Sequence, residues 1–444
     1  MSTRSPLLFV LLVALSAAMP GVAAATGDPR DTVAAGADPA ITASATDGLI
    51  FEWEQGAHRV HVGGRFALDY LRYDRRNVRD SGLRLKHALP SLDVSVLELV
   101  TLRLVVDTIG VDTRYGIYEA WLSLAPTRLA RLTAGVLRVP LGMEHAIPEG
   151  ELSFSGYGFA AHLDGRHDLA ARLEGEIEEG LLSYDLSYAF GEGYDLTGQR
   201  LGHPQLALRT VTYPFRSAEL SVTPCDYEIP LLSGLFGSIA LAYSPSFEGR
   251  LDVSHPLGNK MFTVPRLRAQ RSFFRHFGYG MDAGPLRFAH EVVTGGLRRL
   301  ETPAGTDTDL EEQITAWQAS LAVMVTGEHY DSRPFRQREA RGRDAPAHSP
   351  ADHKDEEARW EGAVEVAARY ANADIDRRFF DLGITGYNVS SQEFRTFSGA
   401  VSWYPNRNLR LSAQIVRTLA DQYPAAFDSH GRDTSFAVRV QYRF

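Results

Sequence analysis

The stretch Thr434–Phe444 reads TSFAVRVQYRF, and it separates into two faces. At period two, Phe436, Val438, Val440, Tyr442 and Phe444 fall on one side, and Ser435, Ala437, Arg439, Gln441 and Arg443 on the other. Such alternation marks a strand with one apolar and one polar face. The apolar face is aromatic at both ends, and the sequence stops on an aromatic residue. A strand of a transmembrane barrel needs this arrangement: an apolar outer face, aromatic girdles at the interfaces and a polar lumen side.

Working outward, the pattern repeats. Leu49–Glu54 and Arg59–Tyr73 flank Gln55-Gly56 as an opening hairpin. In the second of these, Val60, Val62, Phe66, Leu68 and Tyr70 oppose His61, Arg65 and Asp69. Further alternating segments are Leu83–Leu89, Glu98–Asp107, Gly116–Leu124, Leu129–Val139, Asp168–Glu178, Leu181–Phe190, Gln205–Phe215 and Leu235–Tyr243. Arg275–Ala283, Pro285–Val293, Thr315–Gly327, Trp360–Tyr370, Phe394–Tyr404, Leu409–Thr418 and Thr434–Phe444 complete the set. Counted from Arg59, they predict an all-β antiparallel transmembrane barrel of about 16 strands with long external loops. A soluble propeller would show a repeat of roughly 40 residues, and none is visible.

Counting back from Phe444 assigns each connection a side, because short periplasmic turns alternate with longer external loops in such barrels. Glu178–Leu181 and Pro405–Asn408 become periplasmic turns. Met143–His167, Gly191–Pro204, Ser244–Phe274, Thr294–Ile314, Ala371–Glu393 and Ala420–Asp433 become external loops. Glu328–Arg359 breaks the alternation, being long, charged and periplasmic; Ser217–Gly234 does so more mildly.

Residues 1–25 have the features of a signal peptide: Arg4, the apolar run Leu7–Leu15 and small residues up to Ala25. Residues 26–47, rich in Ala, Asp, Thr and Gly, read as a flexible linker, and 48–444 as the barrel. The expected location is the outer membrane of a Gram-negative bacterium. The net charge of −9 and 44% hydrophobic content do not distinguish a porin from a soluble protein. The lone Cys225 has no Cys/His cluster around it, so zinc and thiol chemistry are not expected, nor is any cofactor or nucleic-acid partner. The basic residues are nearly all arginine, with Lys86, Lys260 and Lys354 the only lysines.

Several segments resemble the phosphate-selective O/P porins. Val62–Asp69 (VGGRFALD) is similar to the opening "GGR…D" strand, and Ala134–Gly142 (AGVLRVPLG) to "GqfKvPfg", with Arg138 where lysine is common. Val325–Glu328 resembles "LTGE", Trp360–Tyr370 "GAWElaaRYs", and Ser402–Asn406 "nWYpn", all in order from Gly48 to Phe444. The resemblance implies a homotrimeric sixteen-stranded channel whose infolded loops and basic residues line an anion path. It also implies a longer periplasmic segment at Glu328–Arg359. The C-terminal Phe444 resembles the signal read by the barrel assembly machinery. The scarcity of lysine departs from the family and bears on phosphate specificity.

The pleat turns Arg65, Arg103, Arg138, Arg172, Arg287, Arg369, Arg439 and Arg443 toward the lumen as pore-lining, anion-binding candidates, with Arg84, Lys86, Arg209 and Arg410 beside them. Arginine suits this role because its planar fork replaces lost anion hydration. Carboxylates of matching register, including Asp69, Glu119, Glu174, Asp185, Asp282, Glu291 and Glu365, offer the opposite outcome, in which the arginines are neutralised as ion pairs. Pro265–His276 (PRLRAQRSFFRH) has no carboxylate. Folded inward, its Arg266, Arg268 and Arg271 would draw anions into a constriction; left outside, they would meet lipopolysaccharide. Met143–His167 is the other candidate constriction. An enzyme is the rival class, with His290-Glu291 and His145 beside Glu144 and Glu149 as acid–base candidates, but no hydrolase motif accompanies them.

Overall fold

The computed structural model describes residues 40–44, 48–53, 57–73, 81–109, 116–139, 141–163, 167–190, 204–216, 221–222, 229–230, 233–258, 260–301, 307–330, 362–406, 408–421 and 432–444. The stretch 1–25, read from the sequence as a signal peptide, lies outside them, as do residues 191–203, 331–361 and 422–431 of the long connections.

The strands in chain order begin with β1 (Ala40–Ser44), β2 (Gly48–Trp53), β3 (His58–Tyr73), β4 (Gly82–Val96), β5 (Val100–Val106), β6 (Ile117–Thr127) and β7 (Ala130–Arg138). A one-turn helix α1 (Phe159–His162) precedes β8 (His167–Ile177), β9 (Leu182–Ala189) and β10 (Gln205–Thr212). A two-residue pair, β11 (Ser221–Val222) and β12 (Ile229–Pro230), stands apart from the main sheet. Then come β13 (Leu235–Ser244), β14 (Phe247–Ser254), β15 (Lys260–Ala283), β16 (Leu286–Glu301), β17 (Asp307–Met324) and β18 (Ala363–Ile375). A second single turn, α2 (Arg378–Asp381), leads to β19 (Glu393–Tyr404), β20 (Leu409–Ala420) and β21 (Arg432–Arg443).

Sixteen strands, all except β1, β2, β14 and the β11–β12 pair, form one closed antiparallel wall. Closure is made by the strand that opened the sequence reading. β21 pairs with β3 from Ser435↔Tyr73 to Arg443↔Arg65, and Phe444 exchanges backbone hydrogen bonds with Gly64 (2.9 and 3.1 Å). Below that point the edge of β3 is taken by β2, in register Leu49↔Val62 to Trp53↔His58. β1 adds to β2, so part of the stretch read as linker is a strand. Its Ala-Ile-Thr-Ala-Ser sequence contains two β-branched residues, which favour this state.

The pleat sorts the side chains as the alternation predicts. On β21, Asp433, Ser435, Ala437, Arg439 and Gln441 are buried toward the lumen, while Phe436 and Val440 are exposed outward. The outer face of the other strands carries exposed Tyr70, Leu132, Leu186, Leu208, Ile239, Phe277, Val366, Phe397 and Ile415. Ile415 is 52% and Phe397 50% exposed, values that a water-facing wall would not repeat strand after strand. An aromatic row links five neighbouring strands on this face: Tyr279–His290, His290–Trp317, Trp317–Tyr370 and Tyr370–Phe397, with ring centroids 4.7–6.0 Å apart.

Two connections read as loops contain more strand than the sequence pattern suggests. β14 and the first half of β15 occupy most of Ser244–Phe274, and β16 and β17 extend well into Thr294–Ile314. Apolar residues such as Val253, Met261, Phe262 and Val264 give the first of these hairpins something to bury, which a solvated loop would lack.

Candidate functional site

The lumen is crossed by two segments. The first is the β7–β8 loop, described over 141–163. It leaves the wall between the fifth and sixth strands and reaches Glu291 of β16, Gln318 of β17 and Arg369 of β18 on the far side. The second is the β14–β15 hairpin. It rises from the ninth and tenth strands, and its tip at Leu257 packs on Leu71 and Tyr73 of β3, Val416 of β20 and Ala437 of β21. Each spans about half the circumference, and their origins differ by about a quarter turn, so they cross like stacked bars. They touch backbone to backbone: a Cβ on Gly156 would lie 1.9 Å from the Pro256 carbonyl oxygen.

A buried loop must find partners for its peptide groups. In the β7–β8 loop, wall side chains supply many of them. Arg138 donates to the carbonyls of Ile147 (2.8 Å) and His145 (3.2 Å), Arg369 to Gly156 (3.0 Å), Gln441 to Gly150 (2.8 Å) and Arg410 to Leu152. The Met143 N–H donates to Glu291 and the Ser155 N–H to Gln414, each at 2.6 Å. Carboxylates of the loop complete the set: Glu144 pairs with Arg369, Glu149 with Arg439 (3.2 Å) and Lys86 (3.5 Å), and Glu151 with Arg443 (2.7 Å). Burial would raise the Glu149 carboxyl, but Lys86, the His87 ring 3.6 Å away and the Arg439 charge hold it well below the usual carboxylate range.

The sequence-predicted arginines divide into four groups. Arg65, Arg439 and Arg443 converge on residues 149–151 of the loop, with Arg439 also in a two-pronged pair with Asp69 (2.7 Å each). Arg103 and Arg138 lie further along the same wall; Arg103 pairs with Asp93 (3.5 Å) and Glu119 (3.2 Å). Arg172 is held by Glu174 (3.0 Å) and Asp185 (3.7 Å). Arg287 and Arg369 stand on the opposite wall, on Asp282 (2.9 Å) and Glu144. Ion pairing therefore neutralises most of them.

Pro265–His276 does not form an inward loop; it is the middle of β15. Arg268 is exposed and paired with Glu248 (3.0 Å) and Glu301 (3.7 Å). Arg271 is exposed on the face that carries Phe277 and Tyr279, opposite Arg298. The backbone of Arg266 belongs to β15, and its side chain is outside the described set. The part that folds inward is the apolar hairpin end that precedes this stretch. The acid–base candidates also separate: His290 stacks on the outer face while Glu291 points into the lumen. Sequence reasoning missed the role of Gln318, Gln414, Gln441 and Arg410 in fixing the crossing loop. Their lumen-side register was readable, but their loop partners were not.

Between the crossing loop and β16–β17 remains a cavity of about 50 Å³ lined by Met143, Glu144, Ser153, Arg287, Glu291 and Gln318, among others. That is room for a few waters at most.

The sequence matches no protein-family model and no curated protein. Among solved structures, the outer membrane channel DcaP of Acinetobacter baumannii is similar in fold, with 12% identity, 87% of this chain and 98% of that chain covered, and a TM-score of 0.51. OmpT, an outer membrane protein of Vibrio cholerae, gives 12% identity, 87% and 98% coverage and a TM-score of 0.47. OprB of Pseudomonas putida gives 10%, 87% and 94%, and 0.48. The match to DcaP, together with the closed wall, shows the fold: the chain has the porin-like barrel seen in that outer-membrane channel.

Proposed function

We propose that this protein is an outer-membrane porin through which small anions diffuse passively, phosphate being the first solute to test. The observation that carries the anion reading is a cross-strand pair. Arg65 and Arg443 lie directly opposite in register on the lumen side, and Arg65 has no carboxylate partner among the described residues. Like charges so placed repel; the Glu151 carboxylate meets Arg443 (2.7 Å), and a small anion at Arg65 would complete the pairing. Arg410 adds to the same wall, while the charges of Arg439 and Lys86 are met there by Asp69 and Glu149. The resemblance of the strand motifs to the phosphate-selective O/P porins points the same way.

The outer face supports a membrane partner. Arg271 and Arg298 form a second like-charged register pair, this time exposed, and Arg275 of the same face lies beside Phe273 (5.2 Å from its ring centroid). Basic groups at the margin of an apolar belt suit the phosphates of lipopolysaccharide. A homotrimer, export by the 1–25 signal peptide, and recognition of Phe444 by the assembly machinery belong to the same reading.

Reversal potential in a KCl gradient across a planar bilayer tests it. Anion preference that falls on Arg65→Gln is the expected result; cation preference in the native protein overturns it. Absence of block by phosphate at about millimolar concentration, the range of weak multi-site binding, removes phosphate as the solute. The two segments that cross the lumen favour a second reading, a plugged structural barrel, for which no conductance would be measured under any condition.

A further inference from the structure

At the tip of the crossing hairpin, a titratable nitrogen holds the turn that meets the far wall. His255 is 1% exposed. Its Nδ1 accepts the Leu257 N–H at 3.0 Å, which leaves the proton of the neutral ring on Nε2, a buried atom without a hydrogen-bond partner. The Leu257 carbonyl in turn accepts the Tyr73 hydroxyl at 3.0 Å, and the Leu257 side chain packs among Leu71, Tyr73, Val416 and Ala437. The charged or titratable groups that act on His255 are Arg369 of β18 and His162 of α1, both basic. The Lys260–Asp252 pair (3.0 Å) lies on its own hairpin.

We propose that the β14–β15 hairpin is an acid-released latch across the lumen: a proton on His255 Nδ1 removes the acceptor of the Leu257 N–H, frees the tip from β3, β20 and β21, and opens the passage that the seated hairpin obstructs. The proposal rests on the channel reading. Burial first, then the charges of Arg369 and His162, lower the seated His255 to about 3. A released, hydrated histidine titrates near about 6.5. The seated state is thus fully favoured above about 6.5 and loses up to about tenfold against the released state for each pH unit below it, levelling near 3. At pH 4.5 the released fraction relative to seated rises by up to about 100-fold.

The test is open-channel frequency of the full-length protein in planar bilayers at pH 7.5 and 4.5. Native protein should open far more often at pH 4.5. His255→Asn, whose side-chain oxygen can accept the same N–H two residues on without titrating, should behave like native protein at pH 7.5 and lose the acid response. Tyr73→Phe should open more often at pH 7.5 and keep the acid response. An equal frequency for native protein at both pH values overturns the latch and leaves the channel standing, a comparison that needs no variant to fold. A full acid response in His255→Asn also overturns it and moves the titration elsewhere. No conductance from native protein or Tyr73→Phe at either pH overturns the channel reading itself.

Discussion

The two segments that cross the lumen are held in opposite ways. The β7–β8 loop is fastened by charge: Arg138, Arg369, Arg410, Arg439 and Arg443 grip its carbonyls and carboxylates. The β14–β15 hairpin is fastened by apolar contact and neutral hydrogen bonds. Phe262 meets Phe379 and Phe380 edge-on (5.6 and 6.5 Å), the Ser390 hydroxyl accepts the Thr263 N–H (3.0 Å), and the Ser391 N–H donates to the Met261 carbonyl (2.9 Å). A charged clamp resists stepwise loosening because freeing one partner strands another in a dry site. An apolar seat lets go as a unit when one contact fails. The loop is therefore the charge-clamped part of the lumen and the hairpin the part seated by apolar contact.

Arg369→Ala should have the largest effect. It leaves Glu144 buried without its cation and should cost about 3–5 kcal/mol, read as a lower denaturation midpoint in detergent. If the barrel tolerates it with no change, the loop is not clamped by charge. Phe262→Ala should cost somewhat less, about 3 kcal/mol for an emptied aromatic site, and the loss should be local. Limited proteolysis should then cut the hairpin region while the wall stays intact; equal cutting of the β7–β8 loop would erase the contrast. Acidification gives a graded test. The Glu149 carboxyl is depressed, so its stabilising contribution is complete above about 4.3, the free value, and declines as pH falls toward the lower folded value. A Glu149→Gln protein should lack that part of the acid sensitivity below about pH 4.3. Arg268→Ser should be the smallest change, without measurable effect on the denaturation midpoint, because its ion pairs are solvent-screened.

The wall was legible in the sequence because its code is local. Alternation in Phe436–Phe444 and Val60–Tyr70 fixes which face each residue takes, whatever its neighbours do. Short turns such as Glu178–Leu181 carried the same kind of signal. The lumen was legible only in part. Arg439 and Asp69 could each be turned inward by parity, but their pairing depends on which strands meet at closure. The infolding of 141–163 has no local code at all, since its peptide groups are satisfied by Arg410, Gln414 and Gln441, far away in the chain. The basic run 265–276 misled for a related reason. Most of it was read as part of the connection Ser244–Phe274, yet Phe273, Phe277 and Tyr279 lie at strand spacing on the same face as Arg271 and Arg275.

The seam between β21 and β3 has a consequence for how the molecule forms. Its buried pair, Arg439 with Asp69, joins residues 370 positions apart, the first and last strands of the wall. Contacts so distant in sequence form late and slowly, since nearly the whole chain must be ordered before they bring any gain. Until then both edges of the sheet are open to wrong partners. On the β3 side, β2 covers the lower edge from His58 to Val62 and leaves free the stretch from Arg65 that β21 must take. The short N-terminal hairpin thus acts as a ruler for closure: it blocks a downward slip of the last strand and makes Gly64 the place where Phe444 stops.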